Sequence, residues 1–148
     1  MKPESAAYLD KARAFLDQAE TMLRVYLIEA AGRTAYLAAF HAAEAFIFET
    51  TGRIYKRHAT VQSEFGRLTR NDARVADELR VFLPQSYQLK AIADYETGPG
   101  SHISEQTART ALGRVLGSIR RAFSRRALLR ICCCHVAGSE SLRLRLTA

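Results

Sequence analysis

Gly32-Arg33-Thr34-Ala35-Tyr36-Leu37-Ala38-Ala39-Phe40-His41-Ala42-Ala43-Glu44-Ala45-Phe46-Ile47-Phe48 is the stretch whose reading decides the fold. At about 100° per residue, Ala35, Ala38, Ala39, Ala42 and Ala45 gather on one side of a helix, with Phe46 among them. Arg33, Leu37, His41 and Glu44 share a stripe on the other side, next to Tyr36, Phe40 and Ile47. Small residues let a neighbouring helix approach closely. The opposite stripe sets a cation, an imidazole and a carboxylate among aromatic rings, where each needs a partner. The pattern predicts a buried helix over about residues 33–50, with Gly52 as its left-handed stop.

The same period extends to both sides. Leu9, Ala12, Leu16, Ala19, Leu23 and Tyr26 alternate in steps of three and four, predicting a first helix from Glu4 to Glu29. Ala30-Ala31-Gly32 reads as a turn or kink before the second. After the basic connection Arg53-Ile54-Tyr55-Lys56-Arg57-His58, a short third helix is predicted from Thr60 to Leu68, facing inward through Val61, Phe65 and Leu68. Asn71 is positioned to cap a fourth helix, with Asp72 near its positive end. Its apolar stripe is Val75, Leu79, Phe82 and Leu83, resuming through Tyr87, Ile92 and Tyr95 after Pro84, which should kink or divide it. Gly98-Pro99-Gly100 ends that helix. Ser104 caps a fifth, whose Ala108, Ala111, Leu112, Val115, Leu116 and Ile119 face inward. The chain as a whole therefore reads as an all-α, up-and-down bundle of about five helices over residues 1–125.

At 148 residues, nearly half of them apolar, the chain is long enough for one ordinary core. No apolar run approaches the roughly 18–20 residues that span a bilayer, and the start has no apolar leader, so a cytoplasmic location is expected. The net charge of +7 is uneven. Residues 1–100 hold 13 Lys/Arg against 13 Asp/Glu, whereas residues 101–148 hold 9 Arg against 2 Glu. A clustered arginine surface would attract phosphate backbones or acidic partners in a salt-sensitive way. Residues 126–148 lose the helical period and are expected to form a poorly ordered basic tail. Its Cys132-Cys133-Cys134-His135 run offers no disulfide framework and lacks the second ligand pair a zinc site needs, so no metal or cofactor is expected.

Three segments in order carry a family resemblance: Arg33-Thr-Ala-Tyr36-Leu-Ala-Ala-Phe40-His41-Ala-Ala-Glu44, then Lys56-Arg57-His58 leading to Ser63-Glu64-Phe65, then Leu89-Lys90-Ala91-Ile92-Ala93-Asp94-Tyr95. Together, over residues 5–122, they resemble the HEPN superfamily (higher eukaryotes and prokaryotes nucleotide-binding), nearest to a small bacterial branch with an A-D-Y motif. The resemblance implies a helical bundle that is often a homodimer. It also implies action beside a minimal nucleotidyltransferase, as in toxin–antitoxin pairs, and contact with nucleotide or RNA. Several members are metal-independent ribonucleases that use Arg, four to six residues, then His. Histidine suits acid–base work near neutrality, and arginine holds phosphate through a planar fork.

The chain departs from that pattern at the motif helix. Lys90 stands where the branch has Arg, and Asp94-Tyr95 stand where a His would follow. Lys90 and Asp94 are i,i+4 neighbours, which reads either as a structural ion pair of roughly a few tenths of a kcal/mol or as a ligand-facing cluster with Tyr95. The spacing recurs once, as Arg53 to His58, but in a connection. Those two residues are candidate catalytic groups, and with Lys56 and Arg57 they also read as a phosphate-contacting loop. His41 reads as a core histidine satisfied by Glu44 or a carbonyl, or else as part of a polar pocket in the bundle or at a dimer interface, where it would be an acid–base group. His102 reads as serving the turn before the fifth helix. Arg33, Lys56, Arg57, Lys90, Asp94 and Tyr95 are the candidate nucleotide- or RNA-binding residues. Three functions follow: a HEPN-type binding module, a metal-independent endoribonuclease, or a helical adaptor without a ligand.

Overall fold

A computed structural model describes residues 1–70, 77–96 and 102–122, and within these all regular structure is helical. Five helices follow in order: α1 (Pro3–Arg24), α2 (Ile28–Thr51), α3 (His58–Thr69), α4 (Asp77–Tyr95) and α5 (Glu105–Ala122). They form the helical bundle that the periodicity predicts. The three cysteines, His135 and the rest of the predicted tail lie outside the described residues, as do Asn71, Asp72, Val75 and Gly98-Pro99-Gly100.

α1 opens with Pro3 in its first turn, where a missing backbone donor costs nothing, and with Glu4 near the positive helix end. Leu9, Ala12, Leu16, Ala19 and Leu23 are buried along its seam. Each leucine there contributes roughly 1.5–3 kcal/mol by leaving water. The helix stops at Arg24 and not at Glu29, because Tyr26 adopts a left-handed conformation with φ 59°. Leu27 N–H then bonds the Met22 carbonyl at 2.9 Å and Tyr26 N–H bonds Leu23 at 3.2 Å. This is a Schellman closure with a tyrosine where glycine is usual. Tyr26 is consequently 76% exposed and is not part of the seam.

α2 therefore starts earlier than its composition suggests, and Ala30-Ala31-Gly32 is helix, not turn. Gly32 is needed for close approach: a Cβ there would lie 2.9 Å from Cδ1 of Ile103, which leads into α5. The predicted stop at Gly52 is present, with φ 69° and its N–H on the Phe48 carbonyl at 2.8 Å. α2 is buried nearly all round and packs against each of the other four helices. That is why its polar residues cannot all face solvent. Lys2 fastens the start of α1 to the end of α2. Its amide bonds Glu49 Oε2 at 2.8 Å, and its Nζ reaches the Phe48 and Glu49 carbonyls at 3.1 and 2.9 Å. α1 and α2 thus run antiparallel.

α3 buries Val61 and Phe65, the latter edge-on to Phe46 at 5.6 Å. Its end is held to α4 by the Arg80 guanidinium, which donates to the Thr69 and Arg70 carbonyls. α4 runs unbroken through Pro84 and buries Phe82, Leu83 and Leu89. Its predicted stripe does not continue as read: Tyr87 is 37% and Tyr95 74% exposed. The Tyr87 ring lies edge-on to Tyr36 of α2 at 5.6 Å, and the Tyr95 ring lies beside Lys90 of its own helix. Ser104 Oγ caps α5 by accepting the Thr107 N–H at 3.1 Å, and Ala108, Ala111, Leu112, Val115 and Ile119 are buried.

Candidate functional site

The polar stripe of α2 meets the start of α3 and the last turns of α4. At one end, Arg33 Nε donates to Asp94 Oδ1 at 2.7 Å, and Lys90 Nζ donates to Asp94 Oδ2, also at 2.7 Å. Asp94 thus bridges two helices and serves two cations. The Lys90 hydrogen bond comes first and the Arg33 charge second in holding the Asp94 carboxyl below its usual range; the same hydrogen bond raises Lys90. Lys90 Nζ also lies 6.0 Å from the Tyr87 ring centroid and 5.1 Å from that of Tyr95, within cation–π reach. The i,i+4 ion pair of Lys90 and Asp94 is present, and it sits beside the exposed Tyr95 ring.

His58 occupies the middle as the first residue of α3. The Tyr36 hydroxyl and His58 Nδ1 are 2.6 Å apart, and Tyr36 is fully buried. Burial pushes the Tyr36 phenol up to about 12, so it stays protonated and can donate to the imidazole. Burial first, and the Lys90 charge second, hold His58 below its ordinary value, which favours the neutral ring at neutral pH. Phe40 lies 4.5 Å from the His58 ring and Tyr87 lies 5.9 Å from it.

At the far end, His41 Nδ1 and Glu44 Oε2 are 2.6 Å apart. The imidazole stacks on Phe15 at 5.4 Å with a 5° interplanar angle and on Tyr8 at 6.4 Å. His41 is therefore satisfied by Glu44, as one sequence reading held. Phe40 meets both His41 and His58, so the two imidazoles belong to one aromatic cluster.

Other candidates fall elsewhere. Arg53, Lys56 and Arg57 are exposed in the α2–α3 connection. His58 is bonded to Tyr36, not to Arg53, whose neighbours include Tyr8, Glu44 and Tyr55 around a shallow crevice. Lys56 and Arg57 form no ion pair among the described residues. Arg57 precedes α3 without capping it through a side chain. His102 is exposed and lies 3.3 Å from Glu29, linking the segment before α5 to α2. Among the described residues no group of three His, Cys, Asp or Glu side chains could hold a metal, and no helix is long and apolar enough to cross a membrane.

Sequence reasoning missed two partners. Arg33 shares the α2 stripe with Glu44, but its partner is Asp94 on another helix. Tyr87 falls on the apolar stripe of α4 in the sequence, yet it joins Lys90 and His58; its place three residues before Lys90 is the available signal. The arrangement sets two cations on one carboxylate next to an aromatic surface, and an imidazole that feels the Lys90 charge.

No curated protein sequence matches the chain. The family model for the HEPN domain matches residues 5–121, which span all five helices apart from their extreme ends. A helical bundle across the described residues of that range, with the three segments in order along it, agrees with the match: this chain belongs to the HEPN domain family.

Proposed function

We propose that this HEPN-domain protein is a binding module that contacts nucleotide or RNA, works as a homodimer, and acts beside a minimal nucleotidyltransferase in a toxin–antitoxin-like arrangement. The observation that supports ligand contact is the Arg33–Asp94–Lys90 bridge beside Tyr87 and Tyr95. Two cations share one carboxylate, so the cluster carries one uncompensated positive charge. An aromatic face lies next to it. A phosphate and a base need that combination. The basic connection Arg53, Lys56 and Arg57 adds a second positive patch just before His58. Light scattering reports the dimer, and calorimetric titration with nucleotides and short RNA reports binding. A monomer with no affinity for either ligand removes this reading.

A ribonuclease reading has one observation of its own. His58 is held neutral, close to Lys90 and at the edge of the cluster, which suits a general base with a cation nearby for phosphate. Under it His58 or His41 is the acid–base group, with Arg33, Arg53 or Lys90 on phosphate. RNA cleavage in EDTA decides between the two. No cleavage by the wild-type chain excludes the enzyme, and cleavage that survives both His58→Ala and His41→Ala excludes these residues.

A further inference from the structure

We infer that the groove between α1 and α5, together with the α1–α2 turn beside it, is the surface through which two copies of this chain meet. The inference rests on the homodimer of the reading above and gives it a place.

Helices α1 and α5 leave between them a groove of about 380 Å³. Leu23, Leu112 and Leu116 are its apolar lining, and Glu20, Arg24 and Arg109 are its charged members. None of Arg33, Lys90 and Asp94 lines it, so it is separate from the cation bridge. The turn to α2 begins one residue beyond Arg24. It sets Val25, Tyr26 and Leu27 in water in succession, at 60%, 76% and 54% exposure. Single apolar residues on a surface are ordinary, but three in a row next to an apolar groove mark an interaction surface.

Two residues here disfavour the isolated chain. Tyr26 holds its left-handed conformation at φ 59°, which costs about 1 kcal/mol, and its ring gains little burial in return. Gly113 also lines the groove, exposed within α5, where glycine costs about 1 kcal/mol against alanine. A Cβ at Gly113 would meet nothing within 4 Å, so no neighbour in the chain requires a glycine there. A second copy closing on this face accounts for both. Tyr26 becomes a buried aromatic anchor, and Gly113 lets the opposing backbone come close.

Charge selects a second copy as the occupant. Glu20 and Arg24 stand four residues apart on α1, the spacing of an intrahelical ion pair. They do not form one. Arg24 donates to the Thr21 hydroxyl at 3.2 Å, and neither Glu20 nor Arg24 has an ion pair among the described residues. Arg109 on the facing helix is already bonded to Glu105 at 2.7 Å. The groove thus offers one acid and one base without an ionic partner, a turn apart. A twofold contact sets a surface against itself and needs such a matched pair, so that Glu20 of each copy faces Arg24 of the other. A partner of one sign would set a like charge against one of the two.

The test is sedimentation equilibrium on the full chain at low micromolar concentration, with the fold of each variant checked by circular dichroism. The wild type is expected to dimerise. Gly113→Arg should weaken the dimer by roughly tenfold or more, although it favours α5 itself. Gly66→Arg, at a glycine of α3 with equally open space around it, should leave the dimer unchanged. Glu20→Arg and Arg24→Glu should each weaken association, and the double variant should recover most of it. Tyr26→Gly should weaken it too while stabilising the dissociated chain. Dissociation constants unchanged in Gly113→Arg and in both single charge variants overturn the inference and leave a homodimer formed elsewhere. A double charge variant weaker than either single one overturns it as well. If oxidised Gly113→Cys links within one chain to Cys132, Cys133 or Cys134, the chain's own end fills the groove and the inference fails. A wild-type monomer removes this inference and the homodimer together.

Discussion

Removing one oxygen from the middle of the aromatic cluster gives a sharp test of how it is held. In Tyr36→Phe the buried ring keeps its contacts with Phe40 and Tyr87, but the 2.6 Å bond to His58 Nδ1 is lost. A hydrogen bond of this kind contributes about 1 kcal/mol net, and leaving a partly buried partner unpaired adds a similar amount. A loss of about 1–2 kcal/mol corresponds to a fall in Tm of roughly 3–8 °C for a chain of this size. The alkaline side carries a second signature. The folded phenol ionises near 12, against 10.0 for an unperturbed tyrosine. Between those values the unfolded chain has released a proton that the folded chain still holds. Stability is therefore complete below the unfolded value and falls as pH rises through the folded one, by on the order of 2 kcal/mol. Urea unfolding at a series of pH values measures both effects. The variant should be less stable at pH 7 and should lose this part of the alkaline decline. Equal midpoints at neutral pH together with parallel alkaline limbs would refute the placement of Tyr36.

Four further outcomes are expected. Tyr26→Gly should raise stability by about 1 kcal/mol, because it relieves a left-handed tyrosine, and Gly52→Ala should lower it by a similar amount; opposite signs in denaturant midpoints are required. Acidification from about pH 6.5 should weaken the fold, since the unfolded state takes up a proton that His58, shielded by burial and facing Lys90, resists. His58→Gln should flatten that part of the profile, and an unchanged slope would assign it to other groups. Glu49→Gln should cost about 1.5–3 kcal/mol, because the carboxylate accepts the Lys2 amide and lies 3.7 Å from the Met1 ammonium; thermal unfolding reads it. Ala45→Leu should cost about 1–3 kcal/mol by overpacking a fully buried position, and a Tm at or above wild type would show the helix face to be looser than described.

What the sequence showed and what it hid divide along a physical line. Alanines and aromatics at helical spacing identified α2, and Gly52 marked its end, because both are local signals. The break after α1 was hidden because Tyr26 holds a conformation that normally advertises itself through glycine. Gly32 then drew the turn to itself, although its role is to let Ile103 approach. The i,i+4 pair of Lys90 and Asp94 was legible on one helix. Arg33 as the second partner of Asp94 was not, since nothing local links residues on α2 and α4. His58 was singled out for its spacing from Arg53, but the fold gives it to Tyr36, 22 residues away in the chain.

The Lys2 fastening has a consequence for the order of assembly. α1 and α2 are joined at one end by the Schellman turn at Val25–Leu27 and at the other by Lys2 on Glu49 and Phe48. Their contacts start beside the Val25–Leu27 turn and run outward to Lys2 and Glu49, 47 residues apart, so each closes a loop only a little longer than the one before. This hairpin is therefore expected to form first, with α3, α4 and α5 packing onto the remaining faces of α2. Amide hydrogens of the α1–α2 pair should exchange last, and the α4 turn that carries Lys90 and Asp94 should open at lower free energy. The end of the bundle that carries the Arg33–Asp94–Lys90 bridge would then be the part that can yield without unfolding the rest.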